Sequence, residues 1–289
     1  MAVAEDAAPG GTSEMAVVVD GRDDAAAVRA NRRRALVIAA APALLVLVVV
    51  ALACLAAGAP LIGVAAGVVV GLVVWLALWR NAPALVLRAL RTREGTDVEL
   101  QRADNIVEGL CASMGLEPPD IVVLDERARV ALAVGRPGVA GVLVLSTALL
   151  HDLDPVALEG VVAHELVHVK RGDTAPATMA TAVLLPLARL LPVAELVHTL
   201  AGRGREFSTD RLAVSVTRYP PGLRDALVLM AEGPAPAPSS PLAEGGVARA
   251  TRWLWTVALP DTPHSTALRS GAVGELDAPA VRIAALDEW

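Results

Sequence analysis

The chain has 289 residues, of which 55% are hydrophobic and 2% aromatic, and its formal net charge is −6. That length suits one or two domains with a real core, and a hydrophobic excess gathered into runs points to membrane segments. The negative charge and the lack of a basic stripe with interleaved aromatics argue against nucleic acid as a partner, and two cysteines, Cys54 and Cys111, argue against a disulfide framework or a Cys-based metal site.

Residues 1–28 are rich in Ala, Gly, Asp and Glu and read as disordered, a tail that closes at residue 34 after Arg29 and Arg32-Arg33-Arg34. The uncharged run Ala35–Trp79 follows. A bilayer core needs ~20 apolar residues per helix, so the run predicts two transmembrane helices within 35–80. They lie near 35–58 and 60–79, with the break at Gly58-Ala59-Pro60. A cleaved signal peptide is the rival, but the first run is too long and a second follows at once. Arginines flank both ends: Arg29 to Arg34 before the first span, and Arg80, Arg88, Arg91 and Arg93 after the second. Positive charge marks the cytoplasmic side, so the expectation is a multi-pass cell-membrane protein whose domain faces the cytoplasm.

Residues 96–114 have a helical apolar stripe, with Gly115 to end it. Three short β-type runs follow at 121–124, 130–134 and 142–145. A second helix starts cleanly, with Asp154 to cap it and Pro155 at its first position, and Gly172 suits its end. Residues 174–201 are apolar and read either as a short membrane-associated hairpin or as buried helices of the core. Helices are expected at 203–217 and 222–231, then a Pro/Ala/Ser-rich loop over 233–241. Trp253 and Trp255 suit either the core or the membrane interface, and 278–288 reads as a closing helix. The class is α+β, mainly helical, with a membrane hairpin ahead of a domain at 81–289 that carries a small sheet.

The helix after Pro155 contains His164-Glu165-Leu166-Val167-His168. Positions four apart share a helix face, so the two His side chains are placed to hold one zinc ion. Glu165 stands beside them to take a proton from water. Catalytic zinc usually has three protein ligands. Glu206 is the candidate third, because Asp210 lies four residues on and is spaced to orient a liganding imidazole.

These two motifs, the second reading Glu206-Phe207-Ser208-Thr209-Asp210-Arg211, resemble those of the HtpX/CAAX prenyl endopeptidase family of membrane zinc metallopeptidases. The N-terminal hairpin, the helix at 96–114, Ser146 to Leu150 and Asp173 also fall where that family has them. The resemblance covers about residues 35–231. It implies a zincin-like domain, one Zn2+ per chain held by His164, His168 and Glu206, and Glu165 as general base. It further implies a protein or peptide substrate lying extended along an edge strand. Here that strand is Val130-Ala131-Leu132-Ala133, without the family's Asn, although main-chain pairing does not need that side chain. Near the C-terminus the family has a His-Pro segment before Arg-Ile. This chain has Arg282-Ile283, but Leu276 or Asp277 where the His falls, so Arg282 or His264 is the candidate transition-state stabiliser. The expected function is peptide-bond hydrolysis, by analogy in membrane-protein quality control. The alternatives are a non-catalytic membrane scaffold with the same fold and a sensor metallopeptidase that cuts a regulatory protein. Nothing in the sequence sets an oligomeric state.

Overall fold

The uncharged run folds as a helical hairpin, α1 (Gly21–Ala56) and α2 (Pro60–Leu90). The computed structural model describes residues 21–188, 205–243, 245–257 and 278–289, and side chains from residue 25 onward. The turn falls at the expected break, with Gly58 at φ +79° and Pro60 opening α2. Both helices are long and apolar enough to cross a membrane, and only 17% of the most apolar window of each is buried. Leu44, Leu45, Val48 and Val49 on α1 and Leu61, Ile62 and Val69 on α2 point outward. Surface of that kind suits lipid rather than water.

Gly63, Gly67 and Gly71 line the face of α2 that meets α1. A Cβ at Gly67 or Gly71 would come within 2.9 Å of the carbonyl oxygen of Leu47 or Ala43. Small residues four apart let the two backbones approach, as helices packed in a membrane require.

Both helices outrun the expected spans. α1 starts at Gly21, so part of the segment read as a tail is helical. α2 continues past Trp79, which places Arg80 and Arg88 on the helix instead of after it. Leaving the bilayer does not break a helix, and Ala, Leu and Arg are good helix formers. At ~1.5 Å per residue α1 is about 54 Å long, more than the ~30 Å that a bilayer core would take. The lower part of the hairpin is a stem. Ala35, Ile38 and Ala39 join Ala82, Val86 and Leu90 in one buried cluster with Met179, Ala180, Trp253, Leu254 and Trp255. Asn31 Nδ2 donates to the carbonyl of Arg171 at 3.1 Å.

α3 (Asp97–Met114) begins with a reciprocal cap: Thr96 accepts from the Glu99 N–H while Glu99 accepts from the Thr96 N–H. The sheet has four strands in the order β1 (Arg93–Glu94), β2 (Asp120–Leu124), β4 (Val142–Ser146), β3 (Ala131–Val134). β2 and β4 are parallel, and the other two pairs are antiparallel, so β3 is an edge strand. The short α4 (Thr147–Asp152) leads into α5 (Pro155–Arg171).

α5 is the central helix of the domain, and nearly every residue from Ala157 to His168 is buried. Its apolar side chains pack with α3, β3 and β4 and with α8 (Pro220–Ala231) through Leu223, Leu227 and Met230. Contact with α8 is close at Gly160, where a Cβ would lie 2.5 Å from the Leu223 nitrogen. α7 (Arg205–Thr217) lies along α5, and α10 (Pro279–Glu288) packs on α8. Trp253 and Trp255, in the stretch after the short α9 (Gly246–Thr251), are buried in the core. α6 (Thr174–Leu184) opens the apolar insertion and is buried almost throughout, packed on α1 and α2. That part of the insertion lies in the interior, not on the surface; residues 189–201 lie outside the described residues.

Candidate metal centre

α5 starts where Asp154 Oδ1 accepts from the N–H groups of Val156 and Ala157, and it ends at Gly172 with φ +66°. Between these ends His164 and His168 stand one turn apart on a buried face. Glu206, in the first turn of α7, meets them from across the insertion. Glu206 Oε2 lies 3.1 Å from His164 Nε2 and 3.4 Å from His168 Nε2, and the two Nε2 atoms are 3.1 Å apart. Among the described residues, these three offer ligand atoms all within 4.8 Å of one another.

The far nitrogens are engaged as well. His164 Nδ1 lies 2.8 Å from Asp210 Oδ1, and His168 Nδ1 lies 2.9 Å from Asp173 Oδ1. Asp173 holds the His168 Nδ1–H, and the Asp210 carboxylate stands against His164 Nδ1 outside hydrogen-bonding geometry, so both rings are favoured in the tautomer that turns the Nε2 lone pair inward, as a metal ligand needs. Two lone pairs facing each other at 3.1 Å beside a carboxylate oxygen repel unless a cation or a proton lies between them.

The charge count agrees with such a site. The groups joined by these contacts hold four carboxylates (Glu165, Asp173, Glu206, Asp210) and two guanidiniums, Arg205 on Glu206 and Arg282 on Asp210. Among the described residues, this cluster gathers more carboxylates than guanidiniums around the two rings, a setting that favours a bound cation. Burial works against charge on His168, but Asp173 and Glu206 outweigh it and push the ring up to about 10. His164 is also raised, with Asp210 and Glu206 overcoming its burial. Glu206 is held well below the usual carboxylate range despite its own burial, chiefly by His168 and His164. A centre of this composition fits a divalent ion with nitrogen and oxygen ligands.

Glu165 is buried next to the pair, and the Thr256 hydroxyl lies 2.5 Å from its Oε1 and 2.7 Å from the Ala131 carbonyl. The Thr256 N–H also donates to Ala131, at 3.2 Å. Two expectations are changed by these contacts. Ala131, Leu132 and Ala133 lie in the edge strand β3, with Val130 just before it, but all four are buried, and Thr256 of the segment 252–257 covers the Ala131 carbonyl. Apolar side chains on both faces of β3 draw that cover down. Among the described residues Arg282 meets Asp210 and Thr256: it is 1% exposed, with Nε and Nη2 on the Asp210 carboxylate at 2.6 and 2.8 Å and Nη1 on the Thr256 carbonyl at 2.5 Å. A buried guanidinium seeks the nearest carboxylate, and Asp210 supplies it. His264, Leu276 and Asp277 lie outside the described residues.

Sequence reasoning did not give Asp173 the task of orienting His168, and it missed Arg205 and Thr256. The position of Asp173, directly after the Gly172 cap and five residues from His168, was a usable signal. Thr256 had none, being 91 residues from Glu165.

The sequence pattern of peptidase family M48 matches residues 98–235. A protease HtpX homolog of Dictyoglomus thermophilum is 31% identical over 182 residues, 52% of this chain and 60% of that protein. Over that stretch the chain is similar to peptidase family M48. Protease HtpX homologs of Acidiphilium cryptum, 32% identical over 158 residues, and Tropheryma whipplei, 30% over 156, cover 44% and 43% of this chain and 54% of their own lengths. The chain thus spans about 60% or less of the length of these relatives. No solved structure matches it. The M48 match takes in α3 to α8, with both His residues, Glu165, Glu206 and Asp210, and stops short of Thr256 and Arg282.

Proposed function

We propose that this chain is a membrane-anchored, zinc-dependent endopeptidase with a zincin-like domain. One observation carries the reading: two imidazole Nε2 atoms and one carboxylate oxygen converge beside Glu165 in a buried cluster. His164, His168 and Glu206 hold one zinc per chain; Asp210 and Asp173 orient the rings. Bound there, zinc would polarise the scissile carbonyl and make an attacking water more acidic. Glu165 accepts the water proton on Oε1 and passes it to the leaving amine, with no covalent link to the enzyme. Ala131 offers its carbonyl to the backbone of an extended substrate. Thr256 occupies both of these acceptors, so the 252–257 segment moves aside as substrate enters.

The hairpin anchors the domain in the cell membrane. The arginines at its base favour a cytoplasmic domain, and the packing of the stem against that domain supports a site close to the bilayer surface. Protein or peptide substrates drawn from that surface follow, and membrane-protein quality control is the role that the resemblance to HtpX suggests. The covered edge strand gives some support to a second reading, a scaffold that keeps the fold without turnover. Metal analysis separates the two. The native chain purified without chelators is expected to carry about one zinc, and Glu206→Gln to carry much less; a metal-free native chain under those conditions would favour the scaffold.

A further inference from the structure

We propose that Arg205 is a positioning residue that sets which Glu206 oxygen faces the His pair. The inference rests on the metallopeptidase reading above and goes beyond its ligand set. Arg205 opens α7, directly before Glu206. Its side chain is largely buried and is gripped from three segments. Nε donates to Glu206 Oε1 at 3.0 Å, Nη2 to the Trp253 carbonyl at 2.6 Å, and Nη1 reaches the Asp173 carbonyl at 3.5 Å.

The two oxygens of Glu206 are therefore unequal. Oε1 faces the guanidinium, and Oε2 faces the two Nε2 atoms at 3.1 and 3.4 Å. A guanidinium is planar, with its donors in a fixed fork. Rotating the Glu206 carboxylate to bring both oxygens towards the His pair would break the bond to Nε, and the fork cannot follow while Trp253 and Asp173 hold its other nitrogens. Glu206 is thus presented through one oxygen. For a catalytic ion that matters, because an open coordination position is what separates a catalytic site from a closed structural one. The cation beside Oε1 also offsets part of the negative charge crowded around the His pair.

Arg205 acts twice through one group. The nitrogen that grips Trp253 belongs to the guanidinium that orients the ligand, so the ligand is tied to the segment covering Glu165. A residue with only a structural task would change stability alone. A positioning residue also changes how the metal is held in molecules that have folded.

The test uses the full chain in detergent and the variants Arg205→Lys and Arg205→Gln, loaded with zinc or with cobalt(II). Zinc affinity is measured by chelator competition, coordination from the cobalt visible absorption band, and folding from the melt of the metal-free protein. Arg205→Gln is expected to lose roughly 10- to 100-fold in zinc affinity, the usual effect of removing a partner of a metal ligand. Its cobalt band should weaken as the second carboxylate oxygen joins the ion and raises the coordination number. Arg205→Lys should recover part of the affinity, since it keeps the charge without the fork; if Arg205→Gln does not fold, the lysine variant carries the test. Native affinity and an unchanged cobalt band in folded variants would overturn the proposal, as would a loss that only follows the fall in melting temperature. A native chain that takes up neither metal would instead remove the metallopeptidase reading on which the proposal stands.

Discussion

Replacing Arg282 with Ala tests how the site is held together. The guanidinium is buried, makes two short charge-assisted bonds to Asp210, and spends a third donor on the Thr256 carbonyl. Asp210 is equally buried and also serves His164. Removing one partner of a buried ion pair strands the other charge, which costs about 3–5 kcal/mol, a large share of the ~5–15 kcal/mol that typically separates folded from unfolded protein. For a domain of 150–250 residues each kcal/mol shifts Tm by about 2–4 °C, so a fall of roughly 6–20 °C is expected. The assay is a thermal melt in detergent at one scan rate, on native chain, Arg282→Ala and Arg282→Met. The Met variant keeps most of the side-chain volume and isolates the charge. Pairing Arg282→Met with Asp210→Leu should cost less stability than Arg282→Met alone, because no buried charge is left unmatched. A loss below about 1 kcal/mol in Arg282→Ala, with turnover abolished, would refute this reasoning and return Arg282 to the role of transition-state stabiliser.

Three further outcomes follow from the packing and the charges. Gly160→Ala drives a methyl group to within 2.5 Å of the Leu223 backbone, so α8 must shift from α5 at a cost of about 1–3 kcal/mol; an unchanged melt would mean that this approach is looser than it looks. Thr256→Val removes the hydroxyl that bridges Glu165 and Ala131, a bond to a charged group worth about 1.5–3 kcal/mol, and should raise kcat/KM on an extended peptide as the 252–257 segment opens more readily. A fall in kcat/KM would assign Thr256 a supporting role instead. The Glu99 carboxyl is lowered to about 2 by Arg93 and by the Thr96 N–H and hydroxyl. Its folded value lies below its unfolded value, so its contribution is complete above about 4.5 and is lost as pH falls from there through about 2. A carboxyl NMR titration of Glu99 with a midpoint near 4.5 would contradict that.

Local chemistry made much of the fold legible. α5 could be bounded from Asp154, Pro155 and Gly172 because caps are written in adjacent residues. α3 and the three longer strands were readable from their apolar period. β1 was not, because Arg93 and Glu94 have no strand pattern and become a strand only by pairing with Val123 and Val122. The lower ends of α1 and α2 were misplaced because a charged residue at a membrane exit looks like a helix end, while the hydrogen-bond ladder continues past it.

The site divides along the same line. His164 and His168 share a face because a helix repeats every 3.6 residues, and the spacing from Glu206 to Asp210 uses the same rule. Arg205 adjoins a conspicuous residue, Glu206, yet its other two partners, Asp173 and Trp253, come from segments that only the fold brings together. Arg282 was conspicuous as a charge, but its choice of Asp210 depends on how α10 packs across α8, which no local pattern encodes.

The central proposal, hydrolysis at a zinc site with Glu165 as base, is tested most directly by comparing the native chain with Glu165→Gln in one membrane preparation. Zinc content and cleavage of an unfolded test protein are measured side by side. The expected result is about one zinc per chain in both, with cleavage in the native chain reduced by several orders of magnitude in the variant. Equal cleavage by the two proteins at equal zinc content would contradict it.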